Sequence, residues 1–181
     1  MQAHGARPVI VCGFRVHLGW ANAVTISVSG DDLVFVDRRD LDLGTGGASH
    51  GFGPDLRIEE ARAAMELAIT DALVEFTTEL DVDRGGVVVT REGILRIPME
   101  KLLASSSLYH TAAGALYQQS LRAAFENLGL PCAAIRFDEA EALISADEVA
   151  TIGQQAGRPW RKDHRFASVA ALHAAGTNWR Q

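Results

Sequence analysis

One short stretch near the C-terminus concentrates side chains that bind phosphate and bases. It spans 157–165, reads GRPWRKDHR, and its candidate binding residues are Arg158, Trp160, Arg161, Lys162, His164 and Arg165. Arginine binds phosphate through paired hydrogen bonds, and tryptophan stacks on bases. The stretch is therefore a candidate basic loop for nucleic-acid binding. The same residues could instead pair with the acidic remainder of the protein, and we favour this structural interpretation slightly.

Two further histidines are candidate binding residues. His17 follows the apolar run at 9–14, and an imidazole with a pKa of about 6.5 suits a general base. His110 follows the serines at 105–107, where a helix start would offer free N–H groups to an anion. The alternatives are a solvent-exposed turn histidine and plain helix capping. A serine nucleophile is disfavoured because the GxSxG pattern is missing.

An acidic segment and a glycine-rich segment have simpler interpretations. The acidic hairpin resembles a metal cluster, but a solvated edge strand is the commoner cause; its residues are Asp31, Asp32, Asp37, Asp40 and Asp42. The stretch 44–55 contains five glycines but lacks the GxxxxGK[ST] pattern of a phosphate-binding loop. We expect it to be a flexible linker or lid.

Composition limits the class of protein. The 181 residues carry a net charge of −6, which argues against nucleic-acid binding by bulk electrostatics. Cys12 and Cys132 lie in separate apolar runs without a CxxC partner, so we expect buried reduced thiols rather than a disulfide framework or a zinc site. We see no signal peptide and no apolar run of the roughly 18 residues needed to span a membrane. The expected location is cytoplasmic.

Periodicity and turn residues place these candidates on a single α/β domain over 1–181. Strands are predicted at 8–14, 23–29, 33–43, 87–90 and 131–135, and main helices at 56–80, 108–128 and 164–175. Short helices are predicted at 99–104 and within 138–155. The order is β-β-β-α-β-α-β-α, which predicts three antiparallel strands followed by parallel α/β units. The result would be a mixed sheet with helices on both faces.

That order resembles the ribonuclease H-like fold, and within it the RuvC-type Holliday-junction resolvases. The resemblance depends on VIVCGFRVHLGWANAVTISV at 9–28, VVVTREG and LGLPCAAI at 87–93 and 128–135, and GRPWRKDHRFASVAALHA at 157–174. Actin-like ATPases share the first hairpin, so an actin-like nucleotide-binding domain is an alternative.

The resemblance implies hydrolysis by two Mg²⁺ ions about 4 Å apart, held by converging carboxylates. The family's first-strand Asp falls at Cys12 or Gly13 of this sequence, neither of which is a useful ligand. Its fourth-strand Glu falls near Thr90, and Glu92 could substitute if the strand continued that far. The acidic metal site is therefore expected to be degenerate.

On the last helix, Asp163 fits one of the family's acidic positions, and the other falls at Phe166. Glu92 and Asp163 remain as candidate catalytic and metal-binding residues. The leading interpretation is a non-catalytic or reduced-site module without a cofactor, which binds nucleic acid or a protein partner and could form a homodimer. The alternative is a Mg²⁺- or Mn²⁺-dependent nuclease whose third acid comes from Glu59, Glu60 or the acidic hairpin.

Overall fold

A five-stranded mixed sheet forms the centre of the computed structural model, which describes residues 7–43, 58–90 and 92–176. The strands are β1 (Val9–Val16), β2 (Trp20–Ser29), β3 (Asp32–Asp42), β4 (Arg84–Val89) and β5 (Cys132–Arg136). Their order across the sheet is β3-β2-β1-β4-β5. The first three strands are antiparallel, and β4 and β5 run parallel to β1. The predicted mixed sheet is confirmed.

Six helices cover this sheet among the described residues. They are α1 (Ile58–Leu80), α2 (Met99–Leu103), α3 (Ser106–Asn127), α4 (Phe137–Leu143), α5 (Asp147–Ala156) and α6 (Lys162–Ala175), and a short 3₁₀ helix occupies Glu92–Arg96. The predicted order of elements is therefore confirmed. None of the helices in these described ranges is both long and apolar enough to span a membrane.

Each face of the sheet has its own apolar core. On one face, α1 and α3 pack against β1, and the Phe14 ring lies 5.8 Å from Phe76 and 5.7 Å from Phe125. On the other face, α6 packs against β1, β2 and β4. Strand β1 is buried on both faces, which explains its continuous apolar run.

Two glycines allow α6 to lie directly on the sheet. A Cβ atom at Gly13 would meet the Ala167 carbonyl oxygen at 2.0 Å, and one at Gly86 would meet the Ala170 carbonyl oxygen at 2.0 Å. Any side chain at either position would displace the helix. The helix therefore approaches β1 and β4 more closely than side chains would permit.

Several predicted boundaries are corrected. Helix α6 begins at Lys162, so the second half of the predicted basic loop is the first turn of a helix. Strand β4 ends at Val89, and Glu92 begins the 3₁₀ helix instead of extending the strand. The glycine-rich segment 44–55 lies outside the described residues.

The two cysteines are free thiols, as predicted. Burial raises the pKa of the Cys12 thiol well above its usual value, and raises that of Cys132 to about 12. Both side chains therefore remain protonated and unreactive at neutral pH.

Candidate functional site

The candidate site lies where the end of β1 meets the first turn of α6. Because side chains alternate along a strand, Val11, Gly13, Arg15 and His17 all face α6. Val11 and Gly13 contact the apolar part of the helix. The next two, Arg15 and His17, lie beside Asp163. The end of β1 therefore changes from apolar packing to polar contacts.

Arg15 is the central cation of this site. Its guanidinium carbon lies 5.1 Å from the Phe137 ring centroid and 5.5 Å from that of Phe166, within the range of cation–π attraction. Its Nε atom lies 3.7 Å from Asp163 Oδ1, which is ion-pair range but too long for a good hydrogen bond. That Nε is buried and has no hydrogen-bond partner. Burial lowers the pKa of Arg15, and the Asp163 charge opposes that shift.

His17 lies beside the same carboxylate. Its Nε2 atom is 3.5 Å from Asp163 Oδ2, and its ring stacks on Trp20 with a centroid distance of 4.1 Å and an interplanar angle of 13°. Burial lowers the pKa of His17, and Asp163 partly opposes that shift. The sequence offered a general base or an exposed turn histidine for this position, and the structure adds an acidic partner that sequence spacing did not reveal.

Cross-strand pairing extends the site to β2 and β3. Arg15 is opposite Asn22, and Asn22 is opposite Asp40, so the three residues form a row across the sheet. Asn22 is only 2% exposed and donates through Nδ2 to Asp40 Oδ1 at 2.5 Å. Sequence reasoning missed Arg15 and Asn22. Counting the strand register outward from the turn of the first hairpin would have paired these two residues.

The acidic hairpin divides into separate roles. Asp31 and Asp32 lie exposed at the β2–β3 turn, and Asp37 forms an ion pair with Arg39 on its own strand. Asp40 belongs to the site just described. The five carboxylates are thus dispersed along an edge strand, as the solvated-edge interpretation expected.

Part of the basic segment is held in place by its own neighbours. His164 is buried, and its Nδ1 accepts a hydrogen bond from the Arg161 backbone N–H at 3.1 Å. Burial lowers the pKa of His164. Lys162 Nζ pairs with Glu141 at 3.0 Å. The basic segment therefore contains fewer available cations than its sequence indicates.

Trp160 is also engaged within the protein. Its ring lies against Gly153, and the Arg38 guanidinium sits 5.9 Å from the ring centroid. Arg38 also donates to the carbonyl oxygens of Gly157 and Pro159. These contacts fix the segment before α6 against β3 and leave the indole half-buried.

The remaining candidates differ in their surroundings. Arg158, Arg161 and Arg165 are exposed, and none forms an ion pair with a residue in the described ranges. His110 is exposed on α3, on the opposite face of the sheet, with its ring 5.8 Å from Tyr109. The three arginines therefore flank Asp163 in sequence around the start of α6, whereas His110 lies on the other face of the sheet.

At the position predicted for the first-strand metal ligand, the described side chains are not carboxylates. Cys12 faces the α1–α3 side, Gly13 meets the α6 backbone, and the β1 side chain that faces Asp163 is Arg15. The condition under which Glu92 could replace the fourth-strand acid is not met, because β4 ends at Val89. Within the described ranges, no group of three or more His, Cys, Asp or Glu residues is arranged to hold a metal ion.

Comparison with solved structures identifies the fold. Thermus thermophilus RuvC in complex with a Holliday junction substrate superposes with a TM-score of 0.52 at 12% identity, covering 91% of this chain and 90% of that one. This chain has a RuvC-like, ribonuclease H-like fold. A second Thermus thermophilus RuvC structure gives a TM-score of 0.50 at 13% identity, covering 91% of this chain and 92% of that one.

The yeast mitochondrial Holliday junction resolvase Ydc2 is a further match, with a TM-score of 0.48 at 10% identity and coverage of 90% of this chain and 78% of that one. No family model matches this RuvC-like chain, and no curated protein does. At such low identity, the likeness establishes the fold alone. What the site does must be argued from its own residues.

Proposed function

We propose that this RuvC-like protein binds nucleic acid without the two-metal hydrolytic centre of a resolvase. The observation that carries the proposal is the position of Arg15, whose guanidinium faces Asp163 where β1 meets α6. A fixed cation there neutralises the one carboxylate that the sequence resemblance assigned to a metal on the last helix.

Electrostatics disfavours a divalent ion beside this guanidinium. Two unit charges 4 Å apart interact by about 4 kcal/mol at the effective dielectric constant of a protein surface, and a divalent ion doubles the repulsion. Mg²⁺ sites offset such terms with several carboxylate oxygens. Here β1 contributes Gly13, Arg15 and His17 to the site, so Asp163 and Asp40 are the described carboxylates left to offset the repulsion.

Binding of nucleic acid is supported by the cations beside the site. Arg158, Arg161 and Arg165 are exposed on the first turn of α6 and the segment before it, and guanidinium groups bind phosphate oxygens in pairs. The similar RuvC structure contains a Holliday junction substrate. We therefore propose branched DNA as the first ligand to test.

The test separates binding from cleavage. Fluorescence anisotropy with a labelled four-way DNA junction is measured in EDTA and in millimolar Mn²⁺, and each sample is then run on a denaturing gel. We expect equal affinity in both buffers and intact DNA strands. Absence of binding at low salt would overturn the proposal.

Mn²⁺-dependent cleavage would favour the nuclease alternative. In that case Asp163→Asn and Glu92→Gln are the variants to compare, with Glu126→Gln on α3 as a matched control on the opposite sheet face. Loss of cleavage in both variants but not in the control would assign the metal-dependent chemistry to the carboxylates predicted from sequence.

A further inference from the structure

Two large apolar side chains lie exposed at the turn that joins β1 to β2. Leu18 is 43% exposed and Trp20 is 39% exposed, on either side of Gly19, whose φ of +83° makes the tight turn. Single exposed apolar residues are common on protein surfaces. This pair is unusual in its place, because it borders the polar site formed by Arg15, His17 and Asp163.

The Trp20 ring is held in a fixed orientation. One face of the indole lies on the His17 imidazole at 4.1 Å, so its exposed area belongs to the rest of the ring. The Nε2 atom of His17 lies 3.5 Å from Asp163 Oδ2 on the α6 side. The backbone of the turn is tied by hydrogen bonds from His17 N–H to the Trp20 carbonyl oxygen at 2.8 Å and from Leu43 N–H to the Gly19 carbonyl oxygen at 2.9 Å.

A chain of contacts runs from the Trp20 ring, through His17 and Asp163, to the first turn of α6. Asp163 links His17 to the first turn of α6, and His164 in the same turn accepts a hydrogen bond from Arg161. Trp20 is thus linked, through His17 and Asp163, to the helix turn that the exposed Arg161 precedes. This combination matches a ligand that has a flat aromatic part and an anionic backbone.

We propose that Trp20 stacks on an unpaired nucleobase, while Arg161 binds an adjoining phosphate. The proposal rests on the proposed nucleic-acid function and names the structural feature that is recognised. Trp160, the residue that sequence reasoning favoured for stacking, is already packed against Gly153 and Arg38. Stacking of a base on an aromatic side chain changes affinity by about 5- to 150-fold.

The experiment compares three DNA duplexes of equal length: fully paired, with one unpaired nucleotide, and with an abasic residue in its place. The last two carry the same number of phosphates, so they differ only in the base. Anisotropy gives the affinity for each duplex. We expect the unpaired base to bind at least 5-fold more tightly than the abasic residue. Trp20→Leu should remove this difference, and Trp20→Phe should restore part of it.

A direct readout comes from the wild-type chain labelled with 5-fluorotryptophan. The Trp20→Phe variant assigns its ¹⁹F resonance among the three tryptophans. That resonance should shift with the unpaired base and stay unchanged with the abasic duplex. Leu67→Ala, at an exposed apolar residue on α1, is the control and should leave both readouts unaltered.

The outcomes distinguish the two proposals. Equal affinity for all three duplexes with an unmoved Trp20 resonance would overturn base stacking and leave nucleic-acid binding standing. Failure of every DNA to bind at low salt would overturn both. A preference for the unpaired base that survives in Trp20→Leu would place recognition elsewhere and also overturn this inference.

Discussion

At the scale of single residues, the end of β1 brings together side chains that shift one another's pKa values. Arg15 lies against the stacked rings of Phe137 and Phe166 and near one carboxylate, and His17 lies beside that carboxylate. Burial disfavours the charged form of both side chains, while Asp163 favours it. We therefore expect the pKa of His17 to change in opposite directions when Asp163 or Arg15 is replaced.

The titration of His17 is the first prediction. Asp163→Asn removes the charge that favours imidazolium, so the pKa of His17 should fall further. Arg15→Gln removes a repelling cation, so the pKa should rise. NMR titration of the His17 ring protons measures both changes. Shifts of the same sign in the two variants would contradict the described geometry.

The same residue predicts how stability depends on pH. His17 has a lowered pKa in the folded protein, whereas the unfolded chain binds the proton near the ordinary value of about 6.5. The stabilisation is therefore complete above that pH and is lost as the pH falls below it. His164 acts in the same direction. Urea titrations of the wild type and His17→Gln should converge as the pH is lowered, and a constant gap would contradict the expectation.

The proposed lack of a two-metal centre predicts the response to divalent ions. A ligand at a hundred times its Kd stabilises a protein by about 2.7 kcal/mol, and each kcal/mol moves Tm by about 2–4 °C at this chain length. Because Arg15 opposes a divalent ion, we expect millimolar Mn²⁺ to leave Tm unchanged in a thermal melt. A rise of several degrees that is lost in Asp163→Asn would show that a metal does bind.

At the scale of elements, α6 connects the core to the site. Between Ala167 and Ala174 it lies on β1 and β4 at Gly13 and Gly86, and this contact fixes where its first turn presents Asp163. Gly13→Ala should therefore destabilise the protein by about 1–3 kcal/mol or more, since the added methyl meets backbone atoms.

The control for this substitution is Gly114→Ala within α3, where an added methyl meets nothing within 4 Å. That variant should be neutral or more stable by up to about 1 kcal/mol, because alanine favours the helix. Urea unfolding measures both variants. A neutral Gly13→Ala would mean that α6 lies farther from β1 than described.

The elements also show why the fold could be predicted from sequence and the site only in part. Strand β1 and helices α1 and α3 have long, clear apolar patterns, so their order was predictable. The start of α6 was missed because Arg161 stands where Ser, Thr, Asp or Asn usually caps a helix, and its backbone N–H is satisfied by His164 instead.

The site itself depends on pairings that a sequence pattern does not contain. Asp163 was found from the family resemblance, but its partners Arg15 and His17 are about 150 residues away in the chain and meet it only through the packing of α6 on β1. The equivalence of Cys12 or Gly13 with the resolvase aspartate was drawn from strand position alone. Side-chain direction separates the two, since Cys12 faces α1 and α3, whereas Gly13 and Arg15 face α6.

At the scale of the whole molecule, charge is unevenly distributed. The exposed arginines lie at the N-terminal end of α6. At the other end of that helix, a cavity of about 480 Å³ is lined by Asp31, Asp32, Asp147 and Glu148. With a net charge of −6, most of the surface repels nucleic acid. Any contact with DNA should therefore be confined to the arginine end and involve few phosphates.

This confinement predicts the salt dependence of binding. Three arginines that each neutralise one phosphate give a slope of log K against log salt of about −2 to −3. Arg161→Glu combined with Arg165→Glu should reduce the magnitude of that slope to about 1 and weaken binding at low salt. Lys162 is a poorer choice for reversal because it pairs with Glu141, and Lys101→Glu on α2 is the matched control. Anisotropy titrations at several salt concentrations measure the slopes, and a steep slope that persists in the double variant would locate the DNA on another surface.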